Sequence, residues 1–394
     1  MLKEKVKQAS FILEEKGIDL WLTFVRETSN TPDPALDLIY GGSCTWQTAF
    51  IITASGDTVV IAGSLDVEGI KSKGLYDEVI GYVDSIKDDL VKVLKKYNPQ
   101  KIAINTSKGD VMSDGLSHGM YELLVEYLEG TDFAKRLVSS EEIISALRGR
   151  KSPAEQELVA EAVKLTEDIY KRVGSFLKPG LTEKEVAQFI LEQVKKEGVE
   201  TAWGQDYCPS VFTGPESAGA HAGPTDRKIE PGHVLNIDFG VKKNGFCSDI
   251  QRTWYFLRDG EEDAPQQVKD AFDTIRDAIQ LSAKSILPGI EGCKIDDVAR
   301  NHITGKGYEE YPHALGHQVG RSTHDGAGLL CPRWERYRNL PYLEIEIGQV
   351  YTLEPRITLK DYGVLTMEEI IVVGKNGARF LSRPQTELYL VKQC

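Results

Sequence analysis

The spacing of apolar and polar residues divides the chain into two parts. In the first part, strongly apolar runs alternate with segments that mix charged and apolar residues at helical spacing. The predicted strands cover 18–25, 48–63 and 101–105, and the predicted helices cover 1–17, 84–97 and 119–130. This alternation predicts an α/β N-terminal domain over residues 1–149.

From residue 150 onward the pattern changes to pairs of long helices separated by β-hairpins. The predicted helices run from 153 to about 177, from 182 to about 199, over 263–286 and over 294–307. Thr182 and Glu185 have the spacing of a capping box and follow a Pro-Gly break. Two helix pairs that alternate with two hairpins indicate an internal pseudo-duplication around a central site. We therefore predict an α+β domain over residues 150–394.

The first hairpin carries two aspartates in runs that otherwise predict buried strand. Asp238 and Asp249 flank a turn signal at residues 243–245, which allows two registers. With residues 243–244 in the loop the aspartates are directly opposed, and with residues 244–245 they are diagonal neighbours. Both registers place the two side chains on one face, because side chains in a strand repeat every two residues.

The second hairpin repeats this arrangement with glutamates. Glu354 and Glu368 are predicted to face each other across a loop centred near residue 361, and facing positions lie about 4.5–5.5 Å apart at Cβ. Carboxylates among apolar residues are costly to desolvate unless a cation meets them, and no Lys or Arg is regularly interleaved here. A metal centre is the simplest explanation. The alternative is that these acids are ordinary turn and strand-edge residues.

The residue types indicate which metals such a centre would hold. Four carboxylates and the imidazole of His317, in YPHALGHQVG, form an oxygen-rich ligand set that favours Mn²⁺, Co²⁺, Fe²⁺ or Zn²⁺ over a metal that prefers thiolates. Five ligands exceed one ordinary zinc site. Since carboxylates can bridge, the set predicts two divalent ions, Mn²⁺ or Co²⁺ with Zn²⁺ or Fe²⁺ as alternatives, about 3.5–4 Å apart with a bridging hydroxide.

These residues and spacings resemble a known family. From about Arg150, where RKSPAEQELVAEAVKLTEDIYKRV is typical of the entry helix, the chain is similar to the metallopeptidases of the pita-bread fold. That group contains Xaa-Pro aminopeptidases, Xaa-Pro dipeptidases (prolidases), methionine aminopeptidases and creatinase. The metal ligands that the resemblance implies are Asp238, Asp249, His317, Glu354 and Glu368. The catalytic residues that it implies are Glu354, as the proton shuttle, with His221, His313 and His324.

The resemblance also implies a function and an assembly. The two-domain length favours an Xaa-Pro peptidase, which cleaves between an N-terminal residue and proline through a metal-bridging hydroxide, over a methionine aminopeptidase. The first domain resembles the N-terminal domain of creatinase and prolidase-type enzymes, which implies a homodimer with a small peptide as substrate. Whether the enzyme is a dipeptidase or an aminopeptidase stays open, because it depends on loops around the end of the substrate.

Three positions depart from the family pattern. After the Glu-Pro pair, where members often have a glycine and then a tyrosine two residues further on, the chain has Arg356 and Thr358. Two residues before Glu368, where many members carry an arginine that helps to hold the ligand acids, the chain has Thr366. We hypothesise that Arg356 supplies the missing guanidinium from the opposite strand. The alternative is that Arg356 is a solvent-facing residue beside a turn.

Composition bounds the partners and the compartment. The formal net charge of −13 argues against nucleic acid or an anionic membrane as a partner. The six cysteines show no CxxC pairing, which is typical of reduced thiols in a cytoplasmic enzyme. The N-terminal segment lacks a secretory apolar core, and no apolar stretch is long enough to span a bilayer.

Two other functions remain open from the sequence. The chain could be a catalytically silent binding module on the same scaffold, although such modules typically lose ligands and all five are present here. It could also carry out a different hydrolase or lyase reaction at the same metals, given Thr358 and Thr366.

Overall fold

The computed structural model describes residues 1–217 and 223–392. The chain divides into two compact units, Met1–Arg148 and Gly149–Cys394. Among the described residues, no helix has both the length and the apolar content that crossing a bilayer requires.

The first unit alternates helices and strands. Its elements are α1 (Leu2–Lys16), β1 (Leu20–Val25), α2 (Leu36–Ile39), β2 (Thr48–Thr53), β3 (Thr58–Gly63), α3 (Val67–Ser72), β4 (Glu78–Tyr82), α4 (Lys87–Tyr97), β5 (Ile102–Ile104), α5 (His118–Tyr127), β6 (Leu137–Ser139) and α6 (Glu141–Gly149), with 3₁₀ turns at Val111–Ser113 and Phe133–Arg136. The strands form one sheet in the order β4-β3-β2-β1-β5-β6.

Both faces of this sheet are covered by helices. On β1, Trp21 and Val25 pack in a core with α1 and α6, whereas Leu20, Leu22 and Phe24 pack in a second core with α4 and α5. A strand buried on both faces has a continuous apolar sequence rather than an alternating one. The predicted α/β fold of the first part is therefore confirmed.

The second unit contains the two helix pairs and the two hairpins. Its elements are α7 (Pro153–Phe176), α8 (Glu183–Glu197), β7 (Glu200–Thr201), β8 (Ser210–Thr213), β9 (Val234–Phe239), β10 (Val241–Lys243), β11 (Phe246–Cys247), β12 (Ile250–Phe256), α9 (Gln266–Ser285), α10 (Gly292–Gly305), β13 (Gly316–His317), β14 (Leu329–Leu330), β15 (Val350–Leu353), β16 (Arg356–Leu359), β17 (Gly363–Thr366), β18 (Glu369–Gly374), β19 (Gly377–Phe380) and β20 (Tyr389–Val391), with 3₁₀ turns at Glu335–Tyr337 and Leu340–Tyr342.

Each hairpin packs one face against its own helix pair. On β9, Leu235, Ile237 and Phe239 lie in the core with α7 and α8. On β18, Ile371 and Val373 lie in the core with α9 and α10. Because side chains alternate along a strand, the even-numbered residues of both strands face away from these helices. The acids at even positions of the two hairpins therefore lie on the inner faces, between the two halves of the unit.

The structure selects one of the two registers of the first hairpin. Lys243 pairs with Phe246, and Asp238 pairs with Gln251, so residues 244–245 form the loop and the two aspartates are diagonal. Asn244 and Gly245 have φ values of 52° and 81°. Positive φ at both central residues is the requirement of a type I′ turn, which Asn-Gly meets best.

The second hairpin has the predicted register. Leu353 pairs with Glu369, and Arg356 pairs with Thr366. The ladder is interrupted between these pairs, where Glu354 and Glu368 lie directly opposite each other. The capping box predicted at the start of α8 is also confirmed, since Thr182 and Glu185 exchange both hydrogen bonds.

Gly240 allows the two strands of the first hairpin to approach closely beside the aspartates. A Cβ at this position would lie 1.9 Å from the carbonyl oxygen of Ser248. We expect Gly240→Ala to lower the free energy of unfolding by about 1–3 kcal/mol, because the backbone must shift to admit a methyl group. Chemical denaturation measures this value. Gly305→Ala is the control, since a Cβ there meets no atom within 4 Å, and equal losses in both variants would contradict the steric explanation.

Candidate metal centre

The first acid pair lies next to the point where the ladder of the first hairpin is interrupted. Asp238 is near the end of β9, on the inner face, and Asp249 immediately precedes β12. Tyr170 of α7 holds the two strands together, because its hydroxyl lies 2.9 Å from the carbonyl oxygen of Ile237 and 2.7 Å from that of Ile250. Each aspartate is therefore next in sequence to a residue, Ile237 or Ile250, whose carbonyl oxygen contacts Tyr170 of α7.

The second acid pair is joined to the first hairpin by Gln251. The backbone N–H of Glu368 donates to the carbonyl oxygen of Gln251 over 3.2 Å, and the Gln251 side-chain amide donates to Oε2 of Glu354 over 3.3 Å. Gln251 is the residue that pairs with Asp238 in the ladder. One residue of the first hairpin therefore sets the position of both glutamates.

His317 reaches the acids from the short strand β13, which packs on β15. Its backbone N–H donates to Oγ1 of Thr352 over 3.1 Å. The preceding residue must be glycine, because a Cβ on Gly316 would lie 1.9 Å from the carbonyl oxygen of Thr352. The close approach that Gly316 permits places the imidazole beside the carboxylates.

The side chains of three predicted ligands surround the imidazole nitrogen of His317. Nε2 lies 3.4 Å from Oε1 of Glu354, 3.7 Å from Oδ2 of Asp249 and 4.0 Å from Oε1 of Glu368. One ligand atom each from Asp249, His317 and Glu368 lies within 4.8 Å of the others, which is a spacing that can hold a metal ion. The structure thus brings the ends of both hairpins and β13 to one point.

The groups that meet there are all hydrogen-bond acceptors. Nδ1 of His317 lies 3.2 Å from the carbonyl oxygen of Gln318, which can only accept, so Nδ1 carries the proton and Nε2 presents a lone pair. Burial and the neighbouring His324 lower the pKa of His317 to about 3, so the ring is neutral. Oδ1 of Asp249 and both carboxylate oxygens of Glu368 are buried without a hydrogen-bond partner among the described residues.

Burial of the acids, together with repulsion between some of them, raises their pKa values. Burial raises the pKa of Asp238 to about 7. Burial and the charges of neighbouring carboxylates raise the pKa of Asp249, Glu354 and Glu368 well above the usual range. Buried acceptors that face one another without a donor are stabilised by cations. The group formed by Asp249, His317 and Glu368 therefore fits a divalent metal ion. The full set of five ligands, with Asp238 and Glu354, stays a prediction.

Arg252 lies close to the site, but its positive charge is balanced by Glu369 rather than by the predicted ligands. Arg252 forms an ion pair with Glu369 over 3.0 Å, and both side chains are almost fully buried. Its Nη1 donates to the carbonyl oxygens of Gln251 and Glu368. Arg252 thus orients the backbone that carries the ligands while its charge is balanced by Glu369. Sequence reasoning missed Arg252 and Gln251, although the register that opposes Gln251 to Asp238 could have identified Gln251.

The loop that leads to His317 is fastened by an ion pair on α10. Arg300 pairs with the buried Asp296 over 2.7 Å and donates to the carbonyl oxygens of Tyr311 and His313, both over 2.8 Å. Asp296 in turn accepts a hydrogen bond from the backbone N–H of Leu315. The backbone of Tyr311, His313 and Leu315 is therefore held by one pair of side chains, Arg300 and Asp296. The spacing of residues in the sequence does not predict these contacts.

Two of the three further histidines lie near the cluster or on its loop. The ring of His324 lies edge-on to that of His317, with 4.3 Å between centroids. Nδ1 of His313 donates to the carbonyl oxygen of Ala314 over 2.8 Å. The loop of His324 is anchored by a buried ion pair of 3.1 Å between Lys151 and Asp325. The third predicted histidine, His221, lies outside the described residues.

Arg356 lies where the hypothesis requires but does not contact the ligand acids. It is directly opposite Thr366 on the partner strand. Its Nε is buried without a hydrogen-bond partner among the described residues. The role of Arg356 in holding the ligand acids stays a prediction.

Comparison with known proteins gives the family. Residues 157–375 match metallopeptidase family M24. An uncharacterised peptidase of Bacillus subtilis is 32% identical over 256 residues, which cover 65% of this chain and 68% of that protein. An uncharacterised peptidase of Staphylococcus saprophyticus is 30% identical over 335 residues, which cover 85% of this chain and 87% of that protein.

Solved structures share the architecture over almost the whole chain. An Xaa-Pro dipeptidase from Bacillus anthracis superposes with a TM-score of 0.75 at 23% identity, covering 99% of this chain and 100% of that one. A prolidase from Pyrococcus horikoshii superposes with a TM-score of 0.68 at 25% identity, covering 98% and 99%. The predicted two-domain pita-bread architecture is confirmed by these likenesses.

The raised pKa values predict how the stability of the metal-free protein depends on pH. Below pH 3.8, its ordinary pKa, Asp238 is protonated in both the folded and the unfolded protein. Between pH 3.8 and about 7 it stays protonated in the folded protein but is ionised in the unfolded protein, so the free energy of unfolding falls as the pH rises through this range. The lowered pKa of His317 acts in the opposite direction, but four acids outweigh one imidazole. We therefore expect the Tm of chelator-treated protein to fall between about pH 5 and about pH 8.

Divalent cations should reverse this loss of stability. Adding MnCl₂ at pH 8 is expected to raise the Tm of the metal-free protein, because an ion that binds only the folded state stabilises it by mass action. Asp249→Asn should remove most of this increase, and the exposed Asp226→Asn serves as the control. Equal responses of the two variants to Mn²⁺ would place the bound ion elsewhere.

The ion pair on α10 gives a further prediction. Arg300→Gln leaves Asp296 buried without its partner, so we expect the free energy of unfolding to fall by about 3 kcal/mol. We also expect weaker Mn²⁺ binding in calorimetry, because the loop that leads to His317 loses its anchor. Arg276→Gln, which removes an exposed pair with Asp273, should cost less than about 1 kcal/mol. Unchanged Mn²⁺ affinity in Arg300→Gln would show that the ion pair supports the fold alone.

Proposed function

The chain belongs to metallopeptidase family M24, and from this membership we propose that it hydrolyses the bond between an N-terminal residue and a following proline. The observation that carries the proposal is the convergence of the imidazole of His317 with carboxylates from both hairpins. The choice of Xaa-Pro substrates is supported by the likeness to an Xaa-Pro dipeptidase and a prolidase over almost the whole chain.

Two divalent ions, Mn²⁺ or Co²⁺ with Zn²⁺ or Fe²⁺ as alternatives, are proposed as the cofactors. Their ligands would be Asp238, Asp249, His317, Glu354 and Glu368. When bound, such ions acidify a water molecule and polarise the scissile carbonyl. A pair of ions, rather than one, is supported by the four carboxylates, since one ion at a site of this size would leave repulsion among them uncompensated.

Glu354 is the proposed proton carrier. Its side chain is 19% exposed, compared with 9% for Asp249 and 1% for Glu368, so it is the most accessible of these three acids to substrate. Oε2 is held by Gln251, while Oε1 faces the cluster. In this arrangement Glu354 takes a proton from the attacking water and passes it to the imino nitrogen of the departing proline.

The histidines are proposed to bind the substrate. His324, next to His317, would donate a hydrogen bond to the scissile carbonyl and its developing negative charge. His313 would do so from Nε2, and since its Nδ1 already donates to the carbonyl oxygen of Ala314, this role requires the imidazolium form, in which both ring nitrogens carry a proton. His221 would orient the leaving residue.

A reducing compartment, as in the cytoplasm, is proposed from the cysteines. All five cysteines in the described part of the chain are buried and free, at positions 44, 208, 247, 293 and 331. The homodimer stays a prediction, which light scattering measures.

Peptide assays test the proposed function directly. Protein loaded with Mn²⁺ or Co²⁺ should release proline from glycyl-proline and alanyl-proline, and chelation should abolish the release. Longer Xaa-Pro-Yaa peptides separate an aminopeptidase from a dipeptidase. A protein that binds these ions in stoichiometric amounts but cleaves none of the peptides would favour a different reaction at the same site, and one that binds no ions would favour a silent binding module.

The role of Glu354 has its own test. Glu354→Gln should lower kcat for alanyl-proline by about 10²-fold or more, because the amide cannot carry the proton. Glu344→Gln, at an exposed glutamate of the same unit, is the control. Since Glu354 is also a proposed ligand, metal content is measured on the same sample. A fully loaded variant with the kcat of the parent protein would overturn the assignment.

A further inference from the structure

Arg356 carries a partly buried positive charge that no acid in the described part of the chain balances. Its Nε is buried without a hydrogen-bond partner among the described residues. By contrast, the buried Arg252 and Arg300 are both engaged in ion pairs. A guanidinium removed from water without an anion is destabilised, so a bound anion would stabilise it.

The strand places Arg356 on the same face as a proposed metal ligand. Ile357 and Leu359 of β16 pack in the core with α9 and α10, so the even-numbered residues lie on the other face. Glu354 precedes Arg356 by two residues on that face, about 7 Å away along the strand. Thr358, two residues further on, is exposed. Along this face of the strand, Arg356 thus lies between the proposed ligand Glu354 and the solvent-exposed Thr358.

Contacts of the opposing residue place Arg356 in the layer between the hairpins. Arg356 pairs with Thr366. The carbonyl oxygen of Thr366 accepts hydrogen bonds from Nδ2 of Asn236 over 2.7 Å and from Oγ1 of Thr253 over 2.6 Å. Asn236 precedes Asp238 by two residues and shares its face of β9. The pair of Arg356 and Thr366 is therefore stacked beside the acids of the first hairpin.

We propose that Arg356 binds a carboxylate of the substrate and so determines which Xaa-Pro peptides the site accepts. The inference rests on the proposed peptidase function. The planar guanidinium matches a carboxylate through two parallel hydrogen bonds, which Lys cannot reproduce. An Xaa-Pro dipeptide supplies a carboxylate at its C-terminus, and a peptide with an acidic first residue supplies one on its side chain.

Matched substrates distinguish the two sources of the carboxylate. Alanyl-proline is compared with alanyl-prolinamide, and glutamyl-prolinamide with glutaminyl-prolinamide, on Mn²⁺-loaded protein. We expect the parent protein to favour the charged member of one pair by about tenfold to a hundredfold in kcat/KM, as a charge-assisted contact provides. Arg356→Gln should abolish that preference, and Arg356→Lys should restore only part of it. Arg379→Gln, at an exposed arginine of β19, should preserve it.

A binding measurement decides the proposal without relying on turnover. Calorimetry on chelator-treated protein compares the Kd of the same four peptides for the parent protein and for Arg356→Gln. The proposal predicts that the substitution weakens only the peptide with the recognised carboxylate. If the parent protein binds that peptide selectively but cleaves none of the four, the peptidase function fails and the carboxylate site stands.

Two results would overturn the proposal. One is a loss of kcat/KM and affinity by the same factor for all four peptides in Arg356→Gln, which would assign Arg356 to the support of the ligand acids or of the fold. The other is a parent protein that shows no preference within either pair. Circular dichroism and metal content of each variant separate the first result from misfolding.

Discussion

The second unit is organised around a buried group of hydrogen-bond acceptors. These acceptors repel one another unless a cation binds between them. Carboxylates of Asp249, Glu354 and Glu368 and the lone pair of His317 Nε2 meet within a few ångströms. Bringing such groups together costs free energy, as the raised pKa values of the acids record. Among the described residues, a histidine and several carboxylates with such spacing meet only here, and strongly perturbed acids in one cluster are typical of a functional site.

The surrounding architecture holds these groups against their mutual repulsion. Each hairpin buries its outer face against its own helix pair, so the inner faces are fixed where the acids emerge. Gln251 ties the glutamates to the first hairpin, and Arg252 holds the same backbone with its charge balanced by Glu369. The site is therefore preorganised by apolar packing and by polar contacts, while Oδ1 of Asp249 and both carboxylate oxygens of Glu368 keep no donor among the described residues.

Local pattern was sufficient to predict much of this arrangement, because facing positions in a hairpin follow from the alternation of side chains and the turn. The choice between the two registers of the first hairpin depended on the φ angles of Asn244 and Gly245, which the sequence favours without fixing. Contacts between distant segments, such as Arg300 with the carbonyl of His313, were not predictable, because spacing along the chain carries no information on which elements meet. For the same reason the sequence could not show that the guanidinium of Arg356, although placed beside the site, lacks an acid partner among the described residues.

Anomalous X-ray diffraction at the manganese edge, from crystals of the protein grown with Mn²⁺, shows directly whether the acids of the two hairpins hold metal ions. We expect two anomalous peaks enclosed by Asp238, Asp249, His317, Glu354 and Glu368. A crystal in which these side chains keep their positions around ordered water while manganese is absent or bound elsewhere would contradict this expectation.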